Sequence, residues 1–224
     1  MQTSKVQIVE NILSANDRIA EENQHLLDSL GVTCMNIMAS PGAGKTSVIL
    51  KTIQCLAPNF RIAVIEGDTA PVTIDADKVS QLNVPVTQIN TAGNCHLDAM
   101  MVQKGIQHLD LKGTDLLIIE NVGNLVCPAS FRLGEHFNVV IASIPEGDDK
   151  PYKYPGIYQG IDALILNKSD LMPYVDFNQE YFREGIQALN PGIPLFLLSC
   201  KTGDGFSQWT DWLSNKITNK KLLK

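Results

Sequence analysis

Residues 35–50 read M-N-I-M-A-S-P-G-A-G-K-T-S-V-I-L, and the fold follows from the way this stretch changes character. The apolar run 32–38 has the length of a buried strand, then stops in small residues. From Lys45 on, Val48, Ile49, Ile53 and Leu56 recur at helical spacing. Strand, tight loop and helix N-terminus in succession form the setting of a phosphate-binding loop. Backbone N–H groups of Gly42, Ala43, Gly44, Lys45 and Thr46 would converge on phosphate oxygens, helped by the positive end of the helix. Lys45 would neutralise the β- and γ-oxygens, the Thr46 hydroxyl would hold Mg²⁺, and Ser47 belongs with the nucleotide-binding residues. Ala39 stands where the pattern G-x-x-x-x-G-K-[ST] has its first glycine, which a Cβ permits only at negative φ. The plainer reading is a glycine-rich turn; the Lys45-Thr46 pair directly after Gly44 favours nucleotide binding.

Further along, apolar runs at 61–66, 84–90, 115–120, 138–144, 163–170 and 195–200 alternate with helical patterns at 73–82, 97–109, 176–189 and 206–217. This alternation predicts an α/β fold of the P-loop NTPase kind, a mostly parallel central sheet of about seven strands with helices on both faces. In such sheets ligands sit beyond the carboxyl ends of the strands, where every polar motif of this chain falls. Residues 4–30, with Val6, Val9, Ile12, Leu13, Ile19, Leu26, Leu27 and Leu30, read as one amphipathic helix stopped by Gly31. The expected organisation is an N-terminal helical extension, 1–30, packed on a GTP-binding domain, 31–224.

Composition narrows the partners. The 224 residues are 44% hydrophobic and 19% charged, ordinary for a globular chain. A net charge of −6 offers no basic surplus for nucleic acid. No apolar segment approaches the ~20 residues of a membrane span, and the N-terminus has no signal-peptide core. The expected location is cytoplasmic, with the five cysteines reduced.

Asn167-Lys168-Ser169-Asp170 directly follows an apolar strand. A carboxylate at Asp170 can accept from guanine N1–H and its exocyclic amine; adenine offers neither donor there. Asn167 would brace the loop, and the Lys168 stem would lie against the base. Ser199 and Lys201 at the next strand end would complete the base site, which makes the nucleotide GTP. Asp68 and Glu120 end strands expected to flank the phosphate loop, and their oxygens suit Mg²⁺. With Lys45 they form the catalytic set. Gly123, in E-x-x-G, could sense the γ-phosphate through its N–H, a switch of the order-to-disorder kind. No arginine or glutamine stands out as a water-positioning group, so intrinsic hydrolysis is expected to be slow.

Cys95-His96 and Cys127-Pro128 form a second constellation, seven residues separating Cys127 from Glu120. Thiolate and imidazole bind Zn²⁺ and Ni²⁺. The spacing is not that of a zinc finger, so a metal site and inert buried thiols both remain open on these residues alone. Cys34, in the first strand, and Cys55, on the loop helix, fit buried thiols; Cys200 is expected to be structural.

Taken together, S-P-G-A-G-K-T at 40–46, E-G-D at 66–68, G-N-C-H at 93–96, E-N-V-G-N-L-V-C-P at 120–128, E-G-D-D-K-P-Y-K-Y-P at 146–155 and N-K-S-D at 167–170 resemble the HypB family. These are GTPases of the SIMIBI class that deliver nickel during maturation of nickel–iron hydrogenase. The resemblance runs from about Asn16 to the last helix. It implies that Cys95, His96 and Cys127 bind Ni²⁺ or Zn²⁺ at a GTP-promoted homodimer interface, and that Lys153 reaches the partner's nucleotide. It also implies a HypA-type maturation partner and the hydrogenase large-subunit precursor as acceptors, with no nucleic acid and no membrane. Some members carry an additional N-terminal cysteine motif or a histidine-rich tract. Here no cysteine precedes Cys34 and there are four histidines, so the expected nickel site is the one in the GTP-binding domain. The urease accessory GTPases are the nearest alternative, but their Cys-Pro-His motif is not met, since Ala129 follows Pro128. A plain regulatory GTP switch with structural cysteines is the other.

Overall fold

The computed structural model describes residues 12–69 and 73–222. Seven parallel strands make one sheet: β1 (Thr33–Ala39), β2 (Ile62–Asp68), β3 (Val86–Asn90), β4 (Leu116–Glu120), β5 (Phe137–Ser143), β6 (Ala163–Asn167) and β7 (Leu195–Leu197). Their order is β3-β2-β4-β1-β5-β6-β7. The helices are α1 (Ile12–Leu30), α2 (Lys45–Leu56), α3 (Ile74–Ser80), α4 (Ala99–Gln107), α5 (Lys150–Lys153), α6 (Pro155–Tyr158), α7 (Gln179–Leu189) and α8 (Phe206–Leu222).

Although β1 is buried throughout, its side chains still divide by the two-residue period of a strand. Met35, Ile37 and Ala39 join a core with Val48, Ile49 and Ile53 of α2 and Trp209, Leu213 and Ile217 of α8. On the opposite face, Cys34 packs with Leu27 of α1 and Val102 and Ile106 of α4. Met38, on that face too, packs with Tyr158 of α6 and Phe182 and Ile186 of α7. This is the two-faced sheet expected from alternating apolar runs.

Three local features differ from the sequence reading or add to it. First, β4 lies between β1 and β2, so Asp68 does not end a neighbour of the phosphate-loop strand; Glu120 does. Adjacency in a sheet is settled by crossovers, which spacing along the chain does not record. Second, Cys34 is fully buried, but Cys55 is exposed. Third, the segment 150–158 holds two four-residue helices, each with proline in its first turn. Four residues are too few to show a period.

Helix α1 also departs from its apolar pattern. Leu13, Leu26 and Leu30 are exposed, whereas Asn16, Ala20, Asn23 and Leu27 form the buried stripe. Asn16 donates to Arg132 O (2.8 Å) and accepts from Ala99 N (2.9 Å). Asn23 donates to Ala99 O (2.8 Å) and Leu133 O (2.9 Å). Gly134 allows this approach, since a Cβ there would lie 2.5 Å from the Asn23 Cβ. Polar side chains thus fix α1 to the start of α4 and to the loop before β5. Val6 and Val9 lie outside the described residues.

His136 lies half-buried beside the C-terminal part of α1. Its Nδ1 accepts from Cys34 N (2.8 Å), so the neutral ring carries its proton on Nε2, which faces Asp28 Oδ1 (3.2 Å). Lys220 contacts the same nitrogen and donates to Asp28 Oδ1 at 2.8 Å. Burial, then the Lys220 charge, lowers the His136 pKa. Between the lowered value and ~6.5 the unfolded chain binds the extra proton, so stability falls as pH drops below ~6.5. The expected loss is at most about 1.4 kcal/mol per pH unit. Urea unfolding at pH 7, 6 and 5 should show it, and His136→Asn should flatten the slope over that interval.

Candidate functional site: a nucleotide cleft beside a thiol–imidazole cluster

Gly42 and Gly44 sit at φ 80° and 97°, left-handed conformations that glycine adopts without strain, and α2 begins at the next residue. Ala39 is not among the residues at positive φ, which is why the missing glycine does no harm. The N-K-S-D segment holds this loop directly. Asn167, buried, donates from Nδ2 to Ala43 O at 3.0 Å, and Lys168 donates from Nζ to Gly42 O at 2.6 Å. A Cβ on Gly44 would stand 2.6 Å from the Asn167 amide nitrogen. Asp170 Oδ1 accepts from the buried Ser199 hydroxyl at 2.7 Å, while Lys201 is exposed on the turn that follows.

Next to the loop lies a cleft of about 260 Å³ whose lining includes Lys45, Glu66, Asp68, Glu120 and Gly123. Thr46 Oγ1 donates to Glu120 Oε1 at 2.9 Å. Glu66 stands opposite Glu120 in the β2–β4 register. Both acids are 4% exposed, and the Oε2 of each has no hydrogen-bond partner among the described residues. Burial, reinforced by Glu120, pushes the Glu66 pKa up to about 8. Burial raises Glu120 to about 7, with Lys45 and the Thr46 hydroxyl holding it down. Two buried acids with orphaned oxygens beside a threonine hydroxyl fit a hard divalent cation such as Mg²⁺, whose charge would relieve both.

On the adjoining loops, one donor atom each from Cys95, His96 and Cys127 lie within 4.8 Å of one another. The two sulfurs are 2.7 Å apart, and His96 Nδ1 is 3.7 Å from Cys95 Sγ. The His96 ring stacks on Phe131, centroids 3.9 Å apart and planes 24° apart. Burial lowers the His96 pKa, so the ring is neutral with a lone pair to offer. The hydrogen bond with Cys95 raises the Cys127 pKa; a bound soft cation reverses that by taking the thiolate. Asn124 ties this loop together, accepting from Val126 N (2.7 Å) and Cys127 N (3.2 Å).

Comparison with known proteins gives this arrangement a family. The nucleotide-binding domain of the CobW/HypB/UreG proteins matches residues 33–196. Hydrogenase maturation factor HypB of Azotobacter chroococcum is 42% identical over 96% of this chain and 70% of its own length. The chain belongs to the HypB family. The probable HypB of Methanocaldococcus jannaschii is 38% identical over 96% of each protein. The crystal structure of HypB from Helicobacter pylori in complex with nickel superposes with a TM-score of 0.87, at 37% identity, over 92% of this chain and 97% of that one. A Helicobacter hepaticus relative, 40% identical over 94% of this chain and 88% of its own length, is named a hydrogenase/urease maturation factor HypB. The signal recognition particle receptor FtsY, at 15% identity and TM-score 0.51, shares the fold alone.

In this HypB-family chain the glycine-rich loop, the N-K-S-D segment and the cysteine–histidine set all follow the carboxyl ends of strands of one sheet. One sequence-selected residue stands elsewhere than expected. Asp68, one strand further out, lines the cleft from β2, its Oδ1 accepting from Thr69 N at 2.6 Å. Lys153, on α5, is exposed and ion-paired with Asp149. Glu66 is a site residue that the sequence reading does not select, although the pattern holds a sign of it: β2 carries Glu66 as well as its terminal Asp68, β4 ends in Glu120, and parallel pairing sets Glu66 and Glu120 side by side.

Proposed function

We propose that this chain is a slow GTPase and nickel metallochaperone acting in the maturation of nickel–iron hydrogenase. The observation that carries this reading is the placement of the metal donor set. Cys127 lies on the loop that leaves β4 through Glu120 and Gly123, and Cys95 and His96 lie on the loop that leaves β3, so nucleotide and metal share one stretch of backbone.

In this reading Asp170 and Ser199 select guanine, and Asn167 and Lys168 hold the phosphate loop in shape for the triphosphate. Lys45 and the glycine-loop N–H groups meet the phosphate oxygens, and Thr46, Glu120, Glu66 and Asp68 are the residues that would hold Mg²⁺, which supplies neutralisation of phosphate charge. Gly123 is packed against the phosphate loop, since a Cβ there would lie 3.2 Å from Pro41 atoms, and Asn124 N donates to Ala39 O at 2.8 Å. This packing supports the reading that the Gly123 N–H answers the γ-phosphate. GTP would order this loop and favour a homodimer in which Cys95, His96 and Cys127 gather Ni²⁺, with Zn²⁺ as a second occupant, and Lys153 would act across that interface. Hydrolysis would relax the loop and release the metal toward a HypA-type partner and the hydrogenase large-subunit precursor in the cytoplasm. The 31–224 unit would carry both activities, with α1 as its brace. Service to a urease is a second reading, favoured by the dual name of the Helicobacter hepaticus relative.

Titration of Ni²⁺ into nucleotide-free, GDP-bound and GTP-analogue-bound protein tests this. The expected result is a difference in nickel affinity of about 5- to 150-fold between nucleotide states, with an equal reciprocal effect of nickel on GTP binding. Identical affinities in all three would refute it.

A further inference from the structure

Two asparagines connect the loop that begins at Glu120 to both halves of the metal cluster. We propose that Asn121 and Asn124 are positioning residues through which nucleotide state reaches the metal; this rests on the coupled GTPase–metallochaperone reading above.

Asn121 directly follows Glu120 and is fully buried. Its backbone N–H donates to Ile37 O of β1 at 3.0 Å. Its side-chain Oδ1 accepts from Val122 N (2.9 Å) and from Leu97 N (3.1 Å), the residue after His96. Its Nδ2 donates to Asn36 Oδ1 at 3.2 Å, and Asn36 in turn donates to Asn138 Oδ1 at 2.8 Å. This chain of amides leaves the Asn121 group one way to face, with its oxygen on the Cys95–His96 side. A local turn alone would use the Val122 bond and have no need of Leu97.

Asn124 repeats the arrangement on the other half. Its N–H donates to Ala39 O, at the mouth of the phosphate loop. Its Oδ1 accepts from Cys127 N, and its Nδ2 stands 3.7 Å from Cys127 Sγ. Each asparagine is therefore anchored by its backbone to β1, the strand that feeds the phosphate loop, and reaches by its side chain to one side of the metal cluster.

Gly123 lies between the two. A movement of this peptide on gaining or losing a γ-phosphate contact would be carried to Leu97 and His96 by one amide and to Cys127 by the other.

The test uses the full chain and Ni²⁺ alone as probe. Nickel affinity is measured by competition with a chelator, and the thiolate-to-nickel charge-transfer band is recorded, with GDP and with a GTP analogue. Wild type, Asn124→Ala, Asn124→Asp and Asn121→Ala are compared. In Asn124→Ala the ratio of nickel affinities between the two nucleotide states falls to within about 2-fold of unity from a wild-type ratio of ordinary coupling size, and the nucleotide-dependent change in the band disappears. GDP affinity and metal-free GTP hydrolysis stay within about 2-fold of wild type. Asn124→Asp keeps the acceptor for the Val126 and Cys127 N–H groups and restores most of the ratio. Asn121→Ala loses the affinity ratio and the band change as Asn124→Ala does, with GDP affinity and hydrolysis read on the Asn124 variants alone because Asn121 also lines the nucleotide cleft; should it not fold, the Asn124 pair decides. A wild-type ratio of unity defeats the function proposed above together with this inference. A large wild-type ratio that Asn124→Ala leaves intact overturns this inference alone.

Discussion

Asp170→Asn is expected to lower GTP affinity about 10³-fold and to turn the site toward xanthosine triphosphate. Guanine presents two donors in a row, N1–H and the 2-amino group, and a carboxylate accepts both. An amide nitrogen in place of one oxygen sets donor against donor, and a mispaired polar contact shut away from water costs several kcal/mol when one partner was charged. Xanthine has a carbonyl oxygen where guanine has the amine, so the same amide nitrogen then finds an acceptor. The orientation follows from the Ser199 hydroxyl, which donates to Asp170 Oδ1 at 2.7 Å and still needs an oxygen there. The remaining position, facing the base, takes the nitrogen. Competition of both nucleotides against a fluorescent GDP analogue measures the exchange. Unaltered GTP affinity would show that Asp170 does not read the base.

The second large effect is at the metal. Cys127→Ala or Cys95→Ala should weaken Ni²⁺ binding by more than ~100-fold, because loss of an outer-shell partner already costs about 10- to 100-fold and each of these removes a donor atom. Metal-free GTP hydrolysis should stay within about 2-fold of wild type, since neither sulfur lines the nucleotide cleft. Stability should change little, both side chains being half-exposed at loop positions. Chelator competition and the loss of thiolate-to-nickel absorption provide the readout. This pair of measurements also separates a metallochaperone from a plain GTP switch. If nickel still binds as before, the cysteines are structural and the switch reading takes over.

The two expectations differ in how much of their basis lies in the chain's own order. For Asp170 nearly all of it does, because the residues proposed to read the base, Asn167 to Asp170, are contiguous and follow a recognisable strand. Phosphate binding is equally local: a strand, Gly42, Gly44, Lys45 and a helix are consecutive, and backbone N–H groups of one turn do the work. The metal set is only half local. Cys95 and His96 are neighbours in sequence, but Cys127 is brought to them by the fold, 32 positions away. Residue type made the three candidates; their spacing alone could not assemble them, and the resemblance to the HypB family supplied what spacing lacked.

Glu66 and the face of α1 show the limit most plainly. An acid in an apolar strand reads as a strand end, and only the pairing of β2 with β4 sets it against Glu120, each acid keeping one Oε2 oxygen without a hydrogen-bond partner among the described residues. In α1 the leucines suggested the buried stripe, yet Asn16 and Asn23 hold the helix down while Leu26 and Leu30 face outward. The amide groups are buried there because carbonyls at 99, 132 and 133 await them, and those acceptors come from distant segments.

By itself, then, the order of residues determined the sheet class, the glycine-rich loop at the helix N-terminus, the N-K-S-D segment after a strand and the residue types of the thiol–imidazole cluster, because each is a matter of short-range pattern. Strand adjacency, the acid pair beside Thr46, and the asparagines linking Glu120 to both sides of the sulfur cluster were decided by tertiary structure alone. The physical reason is that hydrogen bonding and burial are satisfied across strands and loops, between residues whose separation along the chain carries no trace of their separation in space.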